Sequence, residues 1–339
     1  MTKAPTVEDV ALAAGVSRQT GSNVLNSPEI VKAATRERVE QAIAALGYRP
    51  HAAARQLRTR RSSTIGIHLD PYAGGISGVV LDRFVHALTE HAPDRGMRML
   101  VYAARSATEE IKRLGKLVDT SEIDAVVVTG TYHGDPRTGW LRERGIPFVS
   151  FGRPWGSDDV GAPAHLWVDV DGAAGTRAAT EHALATAGPR VAFLGWPSPS
   201  GTGDDRERGW REAMDASGAG SERPPRLVVE EHVAQARRAT AEALASGHLD
   251  AIVCASDSLA IGAHLAATDA GLGRLPVIGF DNTPAAEAMG LSSVEQLPEQ
   301  VAAGALELLM GPTGNVVVPR DAAAGSAHRL VTPMLVVRG

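Results

Sequence analysis

Cysteine is nearly absent: Cys254 stands alone among 339 residues, which excludes a disulfide framework and leaves no cysteine spacing for a metal. Lysine is scarce too, 4 residues against 30 arginines, and aromatics make up only 4%. No apolar run reaches the ~18 residues of a membrane span. Met1–Pro5 is not followed by the apolar core of a secretory signal, so a cytoplasmic chain with no membrane partner is expected. The sequence also lacks a GxSxG elbow, an HExxH pair, a GxxxxGK[ST] phosphate loop and a CxxC. Its eleven histidines are scattered without ligand spacing. Gly74, Gly75 and Gly78 make a glycine-rich loop and no GxGxxG. The neighbouring carboxylates Asp158–Asp159 and Asp204–Asp205, placed in loops, read as solvated or sugar-binding groups before catalytic ones. No enzyme, cofactor or metal is expected.

What is present is globular: 44% hydrophobic and 22% charged residues with a net charge of −5, in a length that predicts two or three domains. The net charge conceals an asymmetry. Residues 1–61 carry ten Lys/Arg against five Asp/Glu, a net of +5, and the other 278 residues carry 24 against 34, a net of −10. Tyr48–Arg61 alone has five arginines and no acid. A small basic head on a larger acidic body suggests a nucleic-acid-binding module; an ordinary solvated face followed by a basic linker would give the same composition.

The head reads as three helices. Thr6 is placed to cap a first helix over Val7–Ala14, with Asp9 in the capping-box position and Val10, Leu12 and Ala13 as its apolar side. Gly15 breaks it, and Ser17 caps a second helix to about Asn26. A third runs from Ala33 to Leu46, with Val39, Ile43 and Leu46 at helical spacing and Gly47 as its stop. Two short helices joined by a glycine-containing turn make a helix-turn-helix. Many three-helix bundles bind no DNA, but the second helix is unusually rich in side chains that can read it. Arg bridges guanine O6/N7, and Gln or Asn bridges adenine N6/N7.

The segments TVEDVALAAGVSRQTGSNVLN and TRERVEQAIAALGYRPHAAARQLRTRRSSTIG resemble the start of the lactose-repressor/galactose-repressor (LacI/GalR) family of bacterial transcription regulators, without gaps over the whole head. The resemblance implies that Arg18, Gln19 and Asn23 read bases. It implies that Thr6, Ser17, Thr20, Ser22, Asn26, Thr35 and Tyr48 contact phosphates, which position without specifying. Two departures stand out. Gly21 replaces a valine packed into the bundle, which removes core contacts and costs about 1 kcal/mol of helix propensity relative to Ala. Asn23 replaces a common arginine, so the base read there differs. Over Pro50–Thr59 the resemblance implies a hinge helix, too short to be stable alone, that orders on DNA. It implies that Leu57 wedges into the minor groove with Ala54 on the same face. A linker leucine buried on the body is the alternative for Leu57.

Beyond Ser63, short apolar runs alternate with helical stretches. Runs at Ile65–Leu69, Arg98–Ala103, Ala125–Thr129, Phe148–Phe151, Leu166–Val170, Val191–Leu194, Arg226–Val229, Ala251–Ala255, Pro276–Phe280 and Leu330–Val337 predict parallel sheets of doubly wound type. They are too many for one ordinary sheet, so two α/β subdomains are expected. The blocks WVDVDGAAGTRAATEHALATAGPRVAFLGWP, DDRERGWREAM, DAIVCASDSLAIGAHLAATDAGLG, VIGFDN and LSSVEQ resemble further family blocks in order, and imply a periplasmic-binding-protein-like body with a ligand cleft. The expected organisation is a helix-turn-helix head over 1–50, hinge helix and linker over 51–62, and a body over 63–339. Subdomain 1 is expected at about 63–163 and 291–327, and subdomain 2 at about 164–290 and 328–339, with crossings near 163, 290 and 327.

Ligands of such folds sit beyond the carboxyl ends of the strands. Asp281, Ser256 and Arg153 follow predicted strands, and Arg206 precedes a predicted helix after the Trp196 loop. Family position implies Arg206 and Asp281 as effector contacts, with Ser256 and Arg153 next; salt bridges within the body are the alternative for each. Carboxylate and guanidinium groups suit a polyhydroxylated ligand. Trp196 and Trp155 offer stacking faces or plain packing, Trp210 reads as core, and Asp257 as structural. The resulting expectation is a DNA-binding regulator acting as a repressor, a homodimer on a pseudo-palindromic double-stranded operator, controlled by a mono- or oligosaccharide. A purine or nucleoside effector, or a sugar-binding transport protein, are the alternatives.

Overall fold

A computed structural model describes residues 5–48, 61–69, 78–156, 164–218, 224–311, 316 and 328–338. The chain divides into two compact units, Met1–Ser62 and Ser63–Gly339.

In the first unit, α1 (Val7–Ala13), α2 (Arg18–Asn26) and α3 (Ala33–Leu46) form a bundle. Thr6 and Asp9 close a reciprocal capping box on α1, Ser17 caps α2, and Gly47 ends α3 in the left-handed region at φ 60°. Val10, Ala14, Val24, Val39 and Ala42 make the core, with Val16, Val31, Ile43 and Tyr48 against it. One expectation is corrected. Of the expected apolar side, Leu12 is 83% exposed and Ala13 is exposed as well, because helical spacing carries Val10, Ala11 and Ala14 inward and turns residues 12 and 13 away. Gly21 is buried, and a Cβ there would stand 3.3 Å from the Ala11 Cβ. The two helices close onto each other at this point, so α1 takes up room that a larger side chain would need.

The second unit holds two six-stranded sheets. The first comprises β1 (Thr64–Leu69), β2 (Arg98–Ala103), β3 (Ala125–Thr129), β4 (Phe148–Phe151), β5 (Leu166–Val170) and β11 (His328–Val331), ordered β11-β5-β4-β3-β1-β2 and parallel throughout. Strand alternation sorts its side chains. Ala125 and Val127 join Phe84 and Leu306 beneath α4 (Gly78–His91) and α12 (Pro298–Met310). Val126 and Val128 join Leu114 and Leu141 beneath α5 (Ala107–Asp119) and α6 (Pro136–Glu143).

The second sheet comprises β6 (Val191–Gly195), β7 (Arg226–Val228), β8 (Ala251–Cys254), β9 (Val277–Phe280), β10 (Ser292–Glu295) and β12 (Met334–Val336), ordered β12-β10-β9-β8-β6-β7, with only β12 antiparallel among the described pairings. Its helices are α7 (Gly172–Thr186), α8 (Gly201–Ala216), α9 (Val233–Ser246), α10 (Asp257–Asp269) and α11 (Pro284–Ala288). Phe193, Leu194, Ile252 and Phe280 centre its core.

The crossings fall later than expected. β5 pairs with β4, which keeps 166–170 in subdomain 1, and the chain passes over near Asp171. The second crossing is at Gln296–Leu297, between β10 and α12. The run expected as one strand, Leu330–Val337, is two, split at Thr332–Pro333 between the sheets. β10 was not expected as a strand because only Val294 is apolar in it. Its polar side chains have dedicated partners instead: Ser293 Oγ donates to Asp257 Oδ1 at 2.6 Å, and Glu295 accepts from Arg83 at 3.1 Å.

Candidate nucleic-acid interface and ligand cleft

The second helix of the head presents its polar side chains outward. Gln19 and Asn23 are one turn apart, with Gln19 Nε2 donating to Asn23 Oδ1 at 2.9 Å. Arg18 Nε lies 3.3 Å from Glu8 Oε1 in a pair whose side chains are both more than half exposed. The three residues expected to read bases are all on α2; Arg18 and Gln19 are exposed and Asn23 is half-buried. Ser17 Oγ accepts from the Thr20 backbone N–H at 3.1 Å and lies 2.9 Å from Thr20 Oγ1. Thr6 Oγ1 donates to Asp9 Oδ2 at 2.8 Å, and Tyr48 packs on the bundle core. Thr35 lies in the first turn of α3 and Ser22 on α2, each half-buried. Asn26 is the last residue of α2, and its side chain lies outside the described set. Ala54 and Leu57 also lie outside the described residues, as do Asp158, Asp159 and the Gly74–Gly75 loop.

The two subdomains line a half-open cavity of about 250 Å³ at the carboxyl ends of their strands. Subdomain 1 supplies Thr131, Trp155 and Asp169; Asp205 and Arg206 face them from α8, and Gln296 from the second crossing. Arg153, two residues past β4, sends Nε to Asp169 Oδ2 at 2.7 Å and Nη2 to Asp205 Oδ2 at 3.5 Å, so it bridges the cleft. Burial works against its charge, but Asp169 and Asp205 outweigh that and hold its pKa above the ordinary arginine value. Its guanidinium lies 4.8 Å from the Trp155 ring centre.

Arg206 falls in the second turn of α8, which starts at Gly201, and not ahead of a helix as expected. Asp204 and Asp205 likewise belong to this helix and not to a loop. Arg206 is buried, its guanidinium 3.7 Å over Phe280 and 5.4 Å from the Trp196 ring. Nη1 donates to the Ala255 carbonyl and lies 3.6 Å from Asp281 Oδ1. Burial lowers its pKa despite Asp281 and Glu231 nearby. Asp281, at φ 112°, accepts from Gln296 Nε2 at 2.6 Å. Burial, opposed by Arg206 and reinforced by Asp257, pushes its carboxyl up to about 7. Burial thus disfavours the charged form of both partners.

Of the expected effector residues, Arg206 and Trp155 line the cavity, and Arg153 and Asp281 reach it through lining groups. Ser256 and Trp196 stand outside the lining, on the Trp196 side of Arg206. Two lining donors, Arg206 Nε and Trp155 Nε1, are buried without a hydrogen-bond partner in the protein. Asp257, in contrast, is committed to the fold, accepting from Thr283 N and Ser293 Oγ, both at 2.6 Å. Trp210 is core, donating to the Val191 carbonyl at 2.9 Å.

The head matches the model of bacterial regulatory proteins of the lacI family over residues 6–51, and residues 80–303 match that of periplasmic binding proteins and the sugar binding domain of the LacI family. The chain belongs to the LacI family. Among similar regulators, the HTH-type transcriptional regulator CelR of Thermobifida fusca is 35% identical over 303 residues, 84% of each chain. The HTH-type regulator RafR of Escherichia coli is 30% identical over 62% of this chain and 60% of its own. A solved CelR–cellobiose complex superposes with TM-score 0.70 at 28% identity, over 98% of this chain and 99% of that one. The lac repressor dimer bound to operator and the anti-inducer ONPF gives TM-score 0.78 at 24% identity, over 99% and 98%, and supports the fold. As a LacI-family regulator, the chain joins a DNA-binding head to a body of the sugar-binding class, which sets aside the transport-protein alternative. Among the described residues no helix is long and apolar enough to cross a membrane.

The cleft also includes residues that the sequence does not single out. Asp169 is a buried carboxylate at the end of an otherwise apolar strand, and that break in the hydrophobic run was its available signal. Gln296 and Thr131 carried none, since polar loop residues are common. Glu231, which accepts from both Trp196 and Ser256, was equally silent.

Proposed function

We propose that this regulator is a repressor which binds a pseudo-palindromic operator as a homodimer and is controlled by an uncharged carbohydrate in the cleft. Arg18, Gln19 and Asn23 read bases, and Thr6, Ser17, Thr20, Ser22, Asn26, Thr35 and Tyr48 hold phosphates. Leu57, with Ala54, enters the minor groove. Two-fold symmetry of the dimer fixes the spacing of the half-sites.

The observation that carries the effector reading is the unpaired state of Arg206 Nε and Trp155 Nε1 inside a cavity that also holds the carboxylates of Asp169 and Asp205. Buried donors without partners are costly. A polyol, whose hydroxyls both donate and accept, satisfies donors and carboxylates together, and the Trp155 ring offers a face for a pyranose. Arg153 and Arg206 already face acidic partners, which favours a neutral sugar over a sugar phosphate. Cellobiose, the ligand in the CelR complex, is the first probe. The effector shifts the body between forms that differ in operator affinity, at a coupling free energy of ~1–3 kcal/mol.

The test combines calorimetric titration of cellobiose, glucose and a purine nucleoside with operator binding to fragments from the chain's own promoter region. Binding of a sugar that weakens operator affinity is expected. Binding of the nucleoside alone replaces the carbohydrate reading, and operator affinity insensitive to any bound ligand overturns the regulatory one.

A further inference from the structure

On α2, Gly21 and Val24 turn inward, the first against Ala11 and the second into the bundle core, so the outer face carries Gln19 and, one turn on, Asn23. Gln19 is exposed and Asn23 half-buried. Their amides are joined, with Gln19 Nε2 donating to Asn23 Oδ1 at 2.9 Å. Among the described residues neither amide has another partner.

That bond limits what the two amides can offer a base together. A side-chain amide carries two N–H donors and one carbonyl acceptor, so the pair holds four N–H groups. The shared bond takes one of them and leaves three. Adenine asks an amide for one N–H, to N7, and one acceptor, for N6. Guanine presents only acceptors, O6 and N7, and an amide that meets both gives up both its N–H groups. One adenine and one guanine therefore use the three that remain, whereas two guanines would use all four and break the bond. In the orientation seen, the N–H already committed belongs to Gln19, so Gln19 takes the adenine and Asn23 the guanine. Exposed amide pairs of this spacing contribute little in water. In a groove emptied of water an unmade hydrogen bond is costly, so the bond weighs on the choice of bases once DNA is bound.

We propose that Gln19 and Asn23 read their two operator positions jointly, through the hydrogen bond between them, so that a word of one adenine and one guanine is preferred and the positions are not independent. This inference rests on the reading of both residues as base contacts. Mismatches at well-separated positions add, whereas groups within one hydrogen-bond network couple.

Selection by the full chain from double-stranded fragments with randomised half-sites, repeated with Gln19→Ala and Asn23→Ala, identifies the two positions as those the variants alter. Fluorescence anisotropy then measures the parent on every combination of bases there. The parent is expected to favour adenine at the Gln19 position with guanine at the Asn23 position, and to depart from additivity by about two- to tenfold. Each alanine variant is expected to restore additivity. Asn23→Asp keeps the acceptor for Gln19 but has no N–H, so it retains adenine at one position and loses guanine at the other. Additive preferences in the parent, or a preferred word of two guanines, overturn the joint reading. If neither alanine variant alters any position, the residues are not base contacts, and the inference falls with the reading beneath it.

Discussion

Trp155, carried by subdomain 1, lies directly against Gly201, the first residue of α8 in subdomain 2, so closely that a Cβ on Gly201 would collide with the indole. Trp155 sits at φ 59° and under the Arg153 guanidinium, which limits its freedom to step aside. Helix propensity favours Ala over Gly by up to ~1 kcal/mol, so the cost of a side chain at 201 lies in the collision with Trp155 and not in the helix. Gly201→Ala is therefore expected to lower the melting temperature, by displacing the indole, and to weaken cellobiose at least tenfold. Calorimetry beside thermal melting reads both, and parent-like sugar affinity would show that closure does not need this contact.

The raised carboxyl of Asp281, at about 7 against an ordinary 3.8, gives sugar binding a pH signature. Hydroxyl donors favour the ionised carboxylate, so binding releases protons below about pH 7 and affinity rises with pH between 6 and 8. In the unliganded protein the sign is the reverse. The folded state holds the proton that the unfolded state has lost, so this group lowers stability as pH rises from about 4 to 7. Asp281→Asn is expected to remove both dependences and to weaken sugar binding tenfold or more. Titrations in buffers of different ionisation heat count the protons; a parent that releases none contradicts the assignment.

Arg18, proposed as a base reader, is paired with Glu8 at 3.3 Å in this structure. Exposed ion pairs of this kind are worth ~0–1 kcal/mol, so Glu8→Gln, which releases Arg18 and removes an acid from the head, is expected to raise operator affinity about two- to fivefold. Fluorescence anisotropy at fixed salt measures it, and a loss of affinity would place Glu8 among the DNA contacts.

Gln19→Ala is expected to relax base preference at one or two operator positions by ~1–3 kcal/mol, without changing the slope of affinity against salt, because that slope counts phosphates. Selection from a randomised operator library distinguishes a lost base contact from general weakening. Leu57→Ala is expected to weaken the operator complex and leave sugar affinity at the parent value.

The parts of this molecule legible in its sequence are those where a local rule and the tertiary outcome coincide. Thr6, Asp9, Ser17 and Gly47 announce the head helices because capping is a matter of neighbours in the chain. Buried parallel strands such as Val191–Leu194 announce themselves by continuous apolar runs. β10 escaped because Ser292, Ser293 and Glu295 are satisfied by Arg338, Asp257 and Arg83, partners up to 212 residues away. The crossings were misplaced for a related reason: a strand's sheet is decided by its pairing, as β11 and β12 show by parting company across Thr332–Pro333. Asp281 and Arg206 could be singled out by family position, whereas the partnership of Arg153 with both Asp169 and Asp205 exists only once the two subdomains meet.

Gln296 does two things at once: it is the first residue of the second crossing, and its amide holds Asp281. The Asp281 carboxylate is thus fastened at the crossing between the two subdomains and not out on a loop. Leu297 follows with its backbone in the left-handed region, at φ 55°, a conformation with little room for adjustment in a residue bearing a side chain. The bond that holds Asp281 and the start of the crossing therefore belong to one residue, so Gln296→Ala, read by calorimetry and thermal melting, is expected to change both sugar affinity and the melting temperature.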